Sequence, residues 1–336
     1  MRPSTLRAVP LVALGLLLSG CTSSTPAPTP SDVPDVTVRT VHVSALAGDE
    51  EASLLSRVAV AALGASDFDA RLVDAKGVDS KEAVASLTEH TADVVIGGAA
   101  DWLPVLTPAG AATAATGGPT PSGTTAPSAP ADGTQATQRI TDALPEGLAV
   151  GTAARTERTD ILVTTSSISG LHGLGQGKTP GGLCATASLA VAQQWWSAWG
   201  VSWQKAAACT PRKIVNEPGT DEAVAQLVAG RSELAIARAG DPRLSDRGLV
   251  ELKLPAAAGI ADPLVGVISA DRVGKDALEV LGKVSAVAKG DEWGQLLRLD
   301  AAGGLDEADL RLWLVRNGVL DGGATLPATP QGSTGS

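Results

Sequence analysis

The chain has 336 residues, of which 44% are hydrophobic and 18% charged, so it carries enough apolar side chain to bury a sizeable core and is not disordered throughout. Its 36 acidic residues outnumber 26 basic ones, a formal charge of −10, and Lys and Arg nowhere cluster; this excludes a nucleic-acid backbone as partner, because such binding needs grouped cations that release counterions. Aromatic residues are scarce (seven Trp, one Phe, no Tyr), so any aromatic pocket rests on very few rings.

At the N-terminus Arg2 and Arg7 precede an apolar run, Val9 to Leu18, which is too short to span a bilayer and has the proportions of an export signal. The run ends in Leu18-Ser19-Gly20-Cys21, which resembles a bacterial lipoprotein signal: small residues let a peptidase cut before Cys21, whose thiol then carries the lipid. Residues 1–20 are thus read as a signal peptide, Cys21 as the lipidation site, and the extracytoplasmic face of the cell membrane as the location. Cleavage removes Arg2 and Arg7 and no acid, so lipid rather than a polybasic patch must supply the anchor. Residues 21–35, rich in Thr, Ser and Pro, read as a tether between membrane and domain.

Val36 to Ser44 reads as a buried first strand. Asp49, Glu50 and Glu51 then open a helix whose apolar stripe is Leu54, Leu55, Val58 and Leu63, with Gly64 at its end; acids in a first turn complement the helix dipole. A second strand lies near Arg71 to Asp74, Asp79 and Glu82 form a capping box for a helix to about Glu89, and Ala92 to Gly97 is a third strand. These elements make one parallel α/β lobe. Residues 107–135, built from Thr, Pro, Ala, Gly and Ser, are expected to be a disordered insertion.

Asp160 to Thr165 is an apolar crossover strand, and a helix is expected at 188–206. Thr220, Asp221 and Glu222 cap a helix to Gly230, and Glu233 to Ala237 echoes the Asp93 to Ile96 strand, which implies a second, similar lobe. Pro263 to Ser269 is the matching return run, so two crossings would form a two-stranded hinge. Lys275 to Ala288 and Glu307 to Asn317 are amphipathic helices expected to pack back on the first lobe, before a disordered tail at 322–336. The expected organisation is α/β and two-lobed: residues 36–106 and 270–321 form the first lobe, and 136–269 the hinge and second lobe.

With Cys21 lipidated, only Cys184 and Cys209 remain, and in an oxidising compartment they are expected to pair, a constraint worth about 3–4 kcal/mol. No metal site is expected, because His42, His90 and His172 are scattered, with no ligand spacing, and read as surface or loop residues. Gly173 to Thr179 looks like a phosphate-binding loop but lacks its first glycine, where His172 stands, and is read as a flexible loop. No G-x-S-x-G elbow and no recognisable Ser/His/Asp spacing names a nucleophile, so the chain is read as a non-enzyme without cofactor. Trp195, Trp199 and Trp203 fall on one helical face and are read as core of the second lobe beside the disulfide rather than as a cation platform. Trp102 directly follows the third strand, where α/β sheets present ligand crevices.

Two α/β lobes, a hinge and a lipoprotein signal together resemble the substrate-binding lipoproteins of ABC importers, in particular the glycine betaine/choline/carnitine-binding family. The similarities are Val38 to Leu55, Asp160 to Thr165, Ile214 to Ala237, and Asp306-Glu307 through Leu312 to Leu320. The resemblance implies a type II periplasmic-binding-protein fold, a membrane permease as partner, and a small polar or quaternary-ammonium-like osmolyte held between the lobes. The sequence departs from that family at the ligand: it has no Tyr for an aromatic cage, and reads Ser44-Ala45-Leu46-Ala47 where the family commonly has Ser-Lys-Asn-Phe. Topology brings Ser44, Trp102, Asp160, Thr220, Arg238 and Asp241 to one crevice, with Asp160 and Asp241 supplying charge for a cationic head and Trp102 a π face. Their structural alternatives are a helix cap for Thr220, a surface pair for Arg238 and Asp241, packing for Trp102, and turn positions for Ser44 and Asp160. The rival function is an envelope scaffold or regulatory lipoprotein that keeps the fold without a ligand.

Overall fold

A computed structural model of the protein describes residues 40–107, 132–153, 158–171 and 181–321. The signal, Cys21, the tether, most of the 107–135 insertion, His172, the 173–179 loop and the 322–336 tail lie outside the described residues. The chain runs β1 (Thr40–Ala45), α1 (Glu50–Gly64), β2 (Asp69–Leu72), α2 (Ser80–Thr88), β3 (Val94–Gly98), α3 (Ala99–Leu106), α4 (Gly133–Ala143) and β4 (Leu148–Ala153). It continues through β5 (Thr159–Thr165), α5 (Ser166–Leu171), α6 (Gly181–Cys184), β6 (Ser188–Ala192), α7 (Gln193–Ala207), β7 (Lys213–Glu217), α8 (Thr220–Val228) and β8 (Leu234–Arg238). The last part holds α9 (Pro242–Asp246), β9 (Leu249–Leu252), β10 (Ile260–Ala261), β11 (Leu264–Ser269), α10 (Lys275–Val287), α11 (Gly290–Ala301) and α12 (Glu307–Arg316).

Among the described residues the strands form two sheets. The first has the order β2-β1-β3-β11-β4, and the second β10-β5-β8-β6-β7 with β9 also beside β5. Within each, strands joined through helices are parallel (β1 with β2 and β3, β6 with β7 and β8), whereas β11 and β5, which follow the crossings, enter antiparallel. The crossings run side by side: Ile260 and Ala261 pair with Asp160 and Thr159, and the Asp262 amide donates to the Arg158 carbonyl at 2.8 Å. This is the expected two-lobed α/β architecture with a two-stranded hinge.

Local chemistry explains the elements that the sequence reading identified. Asp49 caps α1 by accepting from the Ala52 amide at 3.0 Å, and the stripe of Leu54, Leu55, Val58 and Leu63 is buried. That face packs against α10 and α12, so the C-terminal helices do return to the first lobe. Asp79 caps α2 through the Lys81 amide at 2.9 Å. The reciprocal capping box occurs instead at α12, between Asp306 and Asp309.

Three expectations are corrected. The β4 and β11 strands pair with each other in the first sheet, and α4 packs on α3 and β4, so residues 133–153 and 264–269 belong to the first lobe rather than to the second or the insertion. The cause is long-range: β4 has no partner until β11 returns across the hinge. The expected 188–206 helix is two elements, since Ser188–Ala192 is a fully buried strand and only Gln193–Ala207 is helical. Thr220 does not cap α8 but is its first residue, the N-cap being Gly219 with no side-chain cap bond; His42 is a half-exposed residue of β1, where Asp93 accepts from its amide at 2.8 Å and lies 3.2 Å from its Nδ1.

Cys184 and Cys209 form a disulfide, with Cα atoms 5.3 Å apart, that brackets β6 and α7. Trp195, Trp199 and Trp203 are buried on one face of α7, and Trp195 meets Trp203 edge-on with centroids 6.0 Å apart. This face does more than fill the second lobe. It is continuous with Ala100, Trp102 and Leu103 of α3, and the Trp199 indole donates to the Ala100 carbonyl at 3.4 Å. The lobes therefore share one apolar core along part of their seam.

Candidate functional site between the lobes

The rest of the seam is ionic and lies where β1, β3, β8 and the two crossings end. After β1, Gly48 adopts a left-handed turn (φ +78°), beyond which Asp49 and Glu50 meet arginines of the second lobe while Glu51 accepts from the Trp293 indole of α11 at 2.8 Å. The turn touches the one before α8: a Cβ on Gly219 would sit 2.6 Å from the Gly48 carbonyl oxygen, so only glycine permits the approach. Gly98 before α3 plays a related role. Its missing side chain leaves room for the Asp262 carboxylate, which comes from the return crossing and accepts from the Ala100 amide at 2.8 Å, capping a helix that has no cap of its own.

Asp262 is the hub of two guanidinium groups. Arg158, on the outward crossing, donates to it at 2.7 Å and to Asp49 at 3.1 Å, with Glu51 3.2 Å from its Nη1. Arg238, at the end of β8, donates through Nε to Asp262 at 3.0 Å and through Nη2 to Asp101 at 3.2 Å, and the same Nη2 is 3.2 Å from Asp49. Asp49 and Asp262 are almost fully buried, as are both arginines. Alongside, Arg243 of α9 pairs with Asp221, Asp241 and, across the seam, Glu50, whose amide donates to Asp221 at 3.2 Å. Ser80 with Gln194, and Arg298 with Asp246, extend the lobe-to-lobe contacts to both sides.

The electrostatics follow from this crowding. Burial alone would raise the Asp49 carboxyl, but the guanidinium groups of Arg158 and Arg238 and the Ala52 amide hold it well below the usual carboxylate range. Asp101 is pushed up to about 7 by burial and by the neighbouring Asp262 and Asp49 charges, against the pull of Arg238. Asp221 is likewise raised to about 7, chiefly by burial, and Asp160 and Glu51 are raised for the same leading reason. The site thus holds two fixed cations against carboxylates that differ in their readiness to ionise.

Of the residues expected at the crevice, Arg238 stands in the cluster and Asp160 borders it, accepting from the Trp195 indole and facing Arg238 across β5 and β8. Thr220, Arg238 and Asp241 share a small gap with Glu51 and Asp221, whose volume of about 10 Å³ admits at most a single water. Asp241 caps α9 and pairs with Arg243. Ser44 and Trp102 are elsewhere: both are completely buried, Ser44 within the first sheet and Trp102 in the shared core with its indole directed to the Val265 carbonyl at 3.4 Å. Arg158, Asp262, Asp49 and Asp101 are missing from the sequence-based set. Asp262 did carry a signal, a lone acid between apolar runs on the return crossing; Asp49 was visible only as a helix cap.

Two open grooves flank the cluster. One of about 950 Å³ is lined from both lobes by Gly48, Ser80, Lys81, Gln194, Asn216 and Glu222; the other, of about 1060 Å³, lies between the 239–241 turn and α11. Among the described residues no group of three or more His, Cys, Asp or Glu is arranged to hold a metal ion, and no helix is long and apolar enough to cross a membrane.

No protein-family model matches the sequence, and no curated protein does. Solved structures do. A glycine betaine/carnitine/choline ABC transporter protein superposes with a TM-score of 0.58 at 11% identity, over 83% of this chain and 99% of that one. An ABC-transporter choline-binding protein in complex with choline gives 0.54 at 12% identity, over 83% and 89%. Lactococcal OpuAC, closed around glycine betaine, gives 0.52 at 10% identity, over 83% and 96%. At such identities the likeness is one of fold, and the fold of this chain is the two-lobed α/β fold of ABC-importer substrate-binding proteins.

Proposed function

We propose that the chain is a lipid-anchored, extracytoplasmic solute-binding protein of an ABC importer, which captures a small polar or cationic osmolyte between its lobes and passes it to a membrane permease. The observation that carries this reading is the convergence, at the carboxyl ends of β1, β3 and β8 and along the two hinge crossings, of charged side chains drawn from both lobes. In this architecture a solute acts by binding one lobe arrangement better than another. Carboxylates outnumber cations at the seam and the sequence has no Tyr, so the solute is a cation held by carboxylate more than by rings. The Leu18-Ser19-Gly20-Cys21 signal supports the anchor: wild type should incorporate labelled palmitate, and Cys21→Ala should move the protein to soluble fractions.

A thermal-shift and calorimetry panel of quaternary amines, amino acids and polyamines tests the binding role. A true ligand at a hundred times its Kd should add about 2.7 kcal/mol of stability, and a panel without a single stabilising compound would sink the proposal. One observation favours the rival reading, an envelope scaffold without a ligand: between the lobes the gap beside Arg238 measures only about 10 Å³.

A further inference from the structure

A solute that closes two lobes must touch both, and in this chain one of its own side chains does so. Arg238 belongs to the second lobe through β8, yet its guanidinium reaches Asp49 and Asp101 of the first lobe and Asp262 of the return crossing at 3.0–3.2 Å. The planar fork of donors matches these carboxylates as a free cation would. The surroundings leave little slack. The Gly48 and Gly219 backbones are in contact on one side, and Gly98 is cut back to accommodate Asp262 on the other.

We infer that Arg238 is the resident cation of the interlobe carboxylate cluster, a tethered guanidinium that selects the closed arrangement of the lobes from within and that a free cation must displace in order to bind there. The tether gives the group a high effective concentration, so a competing cation of the same intrinsic strength is disfavoured while Arg238 is present. A site of this kind accepts a guanidinium or an alkylated guanidinium best, because Asp101, together with Asp49 and Asp262, which Arg158 also contacts, faces a flat, multiply donating group; a simple ammonium offers a point charge and fits less well. The inference goes beyond the proposed transport role, since it concerns what closes the lobes whether or not a solute is carried.

The experiment uses the mature chain with spin labels at two exposed positions, Val73→Cys in the first lobe and Val228→Cys in the second, and reads the interlobe distance by pulsed dipolar spectroscopy. The wild-type distance should be single and short without any added compound. Arg238→Ala should lengthen or broaden it, and millimolar methylguanidinium should restore the short distance in that variant, with a Kd at least about tenfold below that for the unmodified chain; methylammonium should do so poorly. Asp101→Asn and Arg238→Lys, which keep more of the cluster, should give intermediate distances and are read in place of Arg238→Ala if that variant does not fold. An unchanged distance in all the variants that fold, a wild type already open, or no response of Arg238→Ala to methylguanidinium would each overturn the inference. These outcomes are separate from the solute panel: a silent panel sinks the transport role and leaves the Arg238 result standing, while a stabilising solute with an unmoved interlobe distance does the reverse.

Discussion

The seam between the lobes has two halves built on opposite principles. In the apolar half, Trp195, Trp199 and Trp203 of α7 meet Trp102 and Leu103 of α3 in one core. In the ionic half, Arg158 and Arg238 thread between Asp49, Asp101 and Asp262. Apolar contact is non-directional, and large rings tolerate small shifts. Buried ion pairs gain little net stability over an apolar filling but penalise every arrangement that leaves one charge alone. The first half therefore supplies adhesion and the second selects the lobe arrangement.

The largest effect is expected where the apolar half is emptied. Trp199→Ala removes a buried ring and its bond to the Ala100 carbonyl, and should cost about 3–5 kcal/mol in chemical denaturation. A loss below about 1 kcal/mol would mean that α3 and α7 hold the seam by other means. Asp262→Asn probes the ionic half. It keeps the shape of the hub but leaves two buried guanidinium groups short of an anion, and should cost about 3 kcal/mol. The same change at Asp101, whose side chain is 19% exposed and whose carboxyl is already raised, should cost less than half as much; equal losses would contradict the hub assignment.

Reduction sharpens the comparison, because the Cys184–Cys209 bond closes a span of 25 residues around α7 and acts on the apolar half alone. Replacing both by Ser should cost about 2–4 kcal/mol while leaving the response to methylguanidinium unchanged. Mass analysis with alkylation, with and without reductant, should find no free thiol at either position before reduction.

The smallest expected effect is that of pH. Asp101 and Asp221 have folded-state values raised to about 7, so between about pH 4 and 7 the folded chain binds more protons than the unfolded one, and their contribution to stability grows as pH falls through that window. Asp49 has the opposite sign: its folded value is depressed, and its contribution is present above about pH 4 and lost only below that. The denaturation midpoint should therefore rise from about pH 7.5 to about pH 5.5, and Asp101→Asn should flatten the rise. A midpoint that falls over that range would refute the assignment.

Much of the frame was readable along the chain because its signals are local. Acids at 49–51 ahead of an apolar stripe give α1, the β-branched run gives β1, and the i, i+4, i+8 spacing of tryptophans gives the buried face of α7. The strand at Ser188–Ala192 was not separable from the helix after it, since a short apolar run carries no period of its own. The β4 strand was missed for a different reason, having no partner until β11 arrives.

The seam lay beyond any local rule. Arg158 meets Asp49 across 109 residues and Arg238 meets Asp101 across 137, and nothing in the neighbourhood of either arginine names its acid. By itself the sequence determined two α/β lobes, their crossings and the disulfide, because helix caps, periodicity and two remaining thiols act over short stretches of chain or by elimination. Only the tertiary structure decided that Ser44 and Trp102 face the core while Arg238 faces the opposite lobe, because a buried charge goes wherever folding gathers enough countercharge to replace its water.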